Sequence, residues 1–166
     1  MPVIPDPPYV NPGFNQAAVG ALTDNLVSIA MRLNVFRSVN THEPKAAPGT
    51  GLRLAIWAQS IEPIGLASGL ASTSGYVVFS ARAYGNMLAK PEDEIDPRMV
   101  TAMTTLMGAY SADFTLGGTV RNIDLLGEYG QKLTAQAGYI TIDSHMYRIF
   151  TLTIPCIVSD MWQQVS

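Results

Sequence analysis

The chain has 166 residues, enough for one domain with a substantial core. Charged residues make up only 14% of it, against roughly 25% in ordinary soluble domains, and the net charge is -3. That balance, with no run of Lys or Arg anywhere, excludes a protein that lives on nucleic-acid phosphates. No stretch approaches the roughly 18 apolar residues of a membrane span.

Residues 1–14 carry five prolines, at 2, 5, 7, 8 and 12, so they read as an extended arm and not as helix or central strand. The same stretch lacks the basic and apolar regions of a signal peptide, and synthesis in a cytoplasm is expected. Residues 15–166 then form a single α+β domain. A first helix is expected over 15–37, because Leu22, Leu26, Ile29, Leu33 and Phe36 recur at three- and four-residue steps. Breakers at Asn40, Pro44, Pro48, Gly49 and Gly51 make 38–51 a loop. Alternation predicts a strand over 52–61 and another over 76–87, joined by the tandem Gly-Leu-Ala-Ser of 65–72.

Asp96 followed by Pro97 signals the start of a second helix, which ends near Ser111. Its apolar stripe is Met99, Val100, Met103, Leu106, Met107 and Tyr110, a pattern that fits a core face better than a docking face. A short strand is expected over 119–125. A hairpin then turns at Asp143-Ser144, between strands over 133–142 and 145–154, with Pro155 ending the pairing. Two main helices with about five mostly antiparallel strands make an α+β layer, and long edges on such a sheet invite another chain.

The low charge points the same way. With 48% hydrophobic residues and few charges, part of the surface suits burial against other subunits, whose interface cores are depleted in charge. Seven Arg against three Lys agree, since the guanidinium fork suits interface ion pairs.

Catalytic and metal chemistry find little support. His42 and His145 have no neighbouring His or Cys at zinc-ligand spacing. Residues 65–69 read G-x-x-S-G between two strands, not the G-x-S-x-G of a nucleophile elbow between strand and helix. Residues 47–51 resemble a phosphate loop but lack its Lys and a following helix. Glu92, Asp93, Glu94 and Asp96 form an exposed acidic run with nothing to tune their pKa values. Cys156, the single cysteine, sits in an apolar run and reads as a small buried hydrophobe. The expectation is a non-enzymatic chain without cofactor or metal.

From residue 41 onward several stretches occur in a characteristic order. They are Thr41-His42-Glu43-Pro44, Arg53-Leu54-Ala55-Ile56-Trp57, Leu70-Ala71-Ser72-Thr73-Ser74, and Ala81-Arg82 with Asn86-Met87. Residues 113–127, DFTLGGTVRNIDLLG, are the most telling; Gly138-Tyr139 and Tyr147-Arg148 leading into Thr153-Ile154-Pro155 complete the pattern. In order and spacing the chain, over about residues 15–165, resembles the tail terminator proteins of long-tailed bacteriophages, particularly those infecting actinobacteria.

The resemblance implies an α+β subunit of the virion's tail, at the neck, assembled in the host cytoplasm. Six copies would form a ring that caps the tail tube, ends tube polymerisation and joins the tail to the head connector. The implied partners are other copies of the chain, the tail tube protein and the head–tail connector or stopper, with DNA passing through without sequence-specific contact. Arg121 and Asp124, flanked by Gly117, Gly118 and Gly127, together with Trp162, are the expected interface residues. A head–tail stopper or adaptor, a tube subunit, and a ligand-binding α+β domain are the competing readings. The proline-rich start departs from the family pattern.

Overall fold

The structure, a computed structural model, describes residues 16–65 and 68–163. The arm expected over 1–14 lies outside them, as do Leu66 and Ala67 of the tandem repeat. The elements are α1 (Gln16–Arg32), β1 (Ser38–Asn40), β2 (Arg53–Pro63), β3 (Ser72–Asn86), a 3-10 turn (Glu92–Glu94), α2 (Ile95–Ala112), β4 (Asn122–Ile123), β5 (Thr134–Ile142) and β6 (His145–Gln163).

The strands form one six-stranded sheet in the order β1-β2-β3-β6-β4, with β5 also paired to β6. All pairs are antiparallel except β1 with β2, so the fold is α+β with a mostly antiparallel sheet, as expected. Alternation assigns the faces. Leu54 and Ile56 of β2, Val77, Phe79, Ala81 and Ala83 of β3, and Leu152, Ile154, Cys156 and Val158 of β6 point to one side. There they pack with Leu22, Leu26 and Ile29 of α1 and Met99, Met103, Leu106 and Tyr110 of α2. The Tyr110 hydroxyl donates to the Leu26 carbonyl at 2.9 Å, which ties the two helices together inside this core.

The other face carries two smaller apolar clusters, around Tyr84 and Tyr147 and around Tyr76 and Ile157. Between them Arg82 lies over the Trp57 ring, donates to Thr151 Oγ1 and pairs with Glu43. The middle of β3 is therefore buried on both sides.

Several boundaries differ from the sequence expectation. α1 ends at Arg32 and not Arg37, because Asn34 takes a left-handed conformation (φ 54°) that stops the helix. Leu33 and Phe36 still pack against the core from the following turn. The loop expected over 38–51 contains β1, which lies parallel to the start of β2. The strand expected over 119–125 shrinks to Asn122–Ile123, its flanks being held by loop hydrogen bonds. Asp96 does not cap α2: the helix starts two residues earlier than expected, at Ile95, and the Asp96 carboxylate accepts instead from Arg148 Nε at 2.9 Å. Pro97 remains in the first turn, where a missing N–H costs nothing. The expected stripe loses Val100, which is half exposed, and gains Ala102.

Pro155 does not end β6. Its carbonyl accepts from Asp124 N–H at 2.8 Å, on the β4 side. In an antiparallel strand a residue's N–H and C=O point to the same neighbour, so the missing donor faces that side too. The ladder with β3 loses nothing, and β6 runs on to Gln163. The hairpin turn falls at Asp143-Ser144 as expected, both residues having positive φ (50° and 63°), the two-residue turn suited to strand twist.

Candidate assembly interface

Residues 113–130 connect α2 to the far edge of the sheet. The segment leaves the helix through Asp113, whose Oδ1 accepts from Gly117 N–H at 3.0 Å. Leu116, Gly117 and Gly118 all have positive φ, so the chain reverses tightly and drives Leu116 and Val120 into the main core. Asn25 of α1 holds the reversal by donating to the Leu116 carbonyl at 3.1 Å. Arg121 N–H donates to the Ile157 carbonyl at 2.8 Å, and Ile123 N–H to the Phe114 carbonyl at 2.6 Å.

Asp124 is the anchor of the second half. Its side chain is buried and accepts from the Tyr76 hydroxyl, from Glu128 N–H at 2.8 Å and from Tyr129 N–H at 3.0 Å. Burial by itself would raise this carboxyl's pKa. The hydrogen bonds from Tyr76 and from the backbone of Tyr129, Glu128 and Gly127 outweigh it, and hold the carboxyl below its ordinary value. The Tyr76 phenol is pushed well above its ordinary value, first by burial and then by the neighbouring carboxylate. The arrangement is a structural clasp: an ionised acceptor closing a turn of backbone donors.

The clasp leaves Leu126 at the tip with 91% of its surface exposed, beside the half-exposed Phe114. An open hollow of about 490 Å³ lies there, lined by Phe114, Ile123, Asp124, Leu126 and Glu128 among others. Gly127 makes the turn possible: its φ is +75°, and a Cβ would stand 2.9 Å from the Gly130 carbonyl oxygen.

The three residues expected at an interface are not brought together. Asp124 points inward to Tyr76. Arg121, just before β4, is exposed and makes no ion pair among the described residues. Trp162 lies on β6 opposite Thr73, with its ring against Gly75. It stands five residues along the strand from the Ile157 that pairs with β4, or about 17 Å at strand rise. Sequence reading missed Tyr76, Phe114 and Leu126. The spacing Asp124-x-x-Gly127, an acceptor side chain before a positive-φ glycine, was the available signal for the clasp.

Among the described residues no group of three or more His, Cys, Asp or Glu is placed to hold a metal ion, and no helix is long and apolar enough to cross a membrane. A half-open hollow beside Gly85 and Met99 holds only about 80 Å³. No family model matches the chain, and no curated protein matches it. Among solved structures it is similar to a chain in the virion of a native gene transfer agent particle, at 12% identity and a TM-score of 0.38, covering 86% of this chain and 98% of that one. At that level the likeness identifies neither fold nor function.

Proposed function

We propose that this chain is a tail terminator, a non-enzymatic virion subunit that assembles as a six-membered ring on the head-proximal end of a phage tail tube. The observation that carries the proposal is the ordered resemblance across residues 15–165, strongest over 113–127. The structure lends support at that stretch. Its backbone N–H groups are bound inside, at Arg121 and Asp124 by the Ile157 and Pro155 carbonyls, while Phe114 and Leu126 face outward. Exposed apolar side chains on a braced loop are what a subunit contact uses.

A ring of this kind closes by head-to-tail contacts, each subunit offering two different surfaces related by a fixed rotation. One rim matches the last ring of the tube, and the other, unmatched to tube subunits, halts their addition and receives the head connector. DNA passes through the hole, and a chain with few cations and net charge -3 gives its phosphates little to hold.

The deciding experiment is a phage lacking this chain. Without a cap nothing blocks further addition, so tails longer than normal, or polytubes, accumulate unattached to filled heads. Tails of normal length beside heads that leak DNA identify a stopper instead and refute the terminator.

A further inference from the structure

Two edges of the sheet are open. β1 covers only Arg53, Leu54 and Ala55 of β2, so the edge of residues 56–63 that faces away from β3 meets no strand among the described residues. At the opposite side β5 pairs with β6 through one edge, and its other edge meets no strand among the described residues. Natural edge strands are blunted by charge, proline or bulges. The open stretch of β2 is guarded in this way by Glu62, Pro63 and a bulge between Ala58 and Ser60, whereas the nine residues of β5, Thr-Ala-Gln-Ala-Gly-Tyr-Ile-Thr-Ile, contain no charge and no proline. A strand of this kind is an aggregation hazard unless something regularly covers it.

We propose that the outer edge of β5 in one copy pairs antiparallel with residues 60–63 of β2 in the next, so that one sheet continues from subunit to subunit. This rests on the ring reading above and specifies its contact.

Strand direction favours it. β2, β3, β6 and β5 alternate in direction across the sheet. A rotation about an axis along the strands preserves those directions, so β5 meets the neighbour's β2 antiparallel and the alternation is unbroken. The two edges differ, as a head-to-tail contact requires.

Side chains favour it too. Each edge carries one large exposed apolar residue, Ile61 at 50% and Tyr139 at 59% exposure. Both stand on the helix side of the sheet. Ile61 is opposite Val77 of the main core, and Tyr139 is opposite Arg148, which reaches Asp96 of α2. Setting Tyr139 beside Ile61 keeps residues 137–140 and 60–63 each on its own face, short of the bulge between Ala58 and Ser60, and makes an aromatic–β-branched cross-strand pair. It also places the neighbour's strand clear of β1.

The test introduces Ile61→Cys and Tyr139→Cys together in the full chain. Cys156 is fully buried, with its thiol pushed up to about 12 by that burial, and stays silent. The protein is concentrated, rings are counted by negative-stain microscopy, and a mild oxidant is added. The double variant yields a ladder of covalent oligomers up to ring size, and each single variant at most a dimer. Rings without a ladder overturn the edge pairing and leave the ring reading standing. An absence of rings at every concentration, with the wild type included, removes the ring reading and the pairing with it. Ile61→Lys provides a second check: it melts as the wild type does but forms no rings, and rings at wild-type concentration would overturn the pairing.

Discussion

Asp124 illustrates how one buried side chain can hold a whole turn of backbone in place. Its carboxylate is buried against Tyr76 and two backbone N–H groups, so Asp124→Ala strands three donors at once. Each unmade buried bond costs about 1–3 kcal/mol, partly recovered by water, and a loss of about 2–4 kcal/mol is expected in chemical denaturation. The pH dependence follows from the depressed pKa. A carboxyl held below its ordinary value of 3.8 contributes stability that is fully present above that pH and lost as pH falls through the folded value. Asp124→Asn therefore flattens the acid limb of a melting-temperature profile below about pH 4; an unchanged limb would refute the clasp. Gly127→Ala, at φ +75° and against the Gly130 carbonyl, should cost about 1–3 kcal/mol by the same denaturation assay.

At the scale of elements, β3 and β6 form the spine on which everything else is placed. They pair over most of their length, and the centre of β3 is buried on both faces. Phe79 sits at that centre with no exposed surface, so Phe79→Ala should destabilise by about 3–5 kcal/mol, measured by urea unfolding. A loss under about 1 kcal/mol would show that the core collapses around the gap. Much of this layer was legible in sequence. Leu22, Leu26 and Ile29 have helical spacing, and Val77, Phe79 and Ala81 have strand spacing, because burial on one face imposes those periods. Where the reading failed, a tertiary contact had overridden a local signal. Asp96 prefers a distant arginine to its own helix end, and Pro155 is tolerated because its nitrogen faces the end of a two-residue ladder.

For the whole molecule, the proposed assembly can be tested apart from folding. Leu126 is 91% exposed at the tip of the clasped turn, so Leu126→Asp removes little that holds the subunit together. We expect an unchanged melting temperature, with wild-type tail length and head joining lost when the variant replaces the native chain in a phage. Normal particles carrying that variant would show that the loop over 113–130 is not a subunit contact.

By itself the sequence determined the composition of the layers: two amphipathic helices, alternating strands, a hairpin at Asp143-Ser144, and a surface short of charge. Those properties depend on residues close together in the chain, where period and turn chemistry act. The tertiary structure decided which strands are neighbours, that Asp124 turns inward to Tyr76, 48 residues away, and that β2 and β5 are left as open edges. Sheet order and buried polar contacts join distant segments, and their free energies depend on which groups are removed from water together. No local pattern encodes that, so it becomes visible only when the chain has closed on itself.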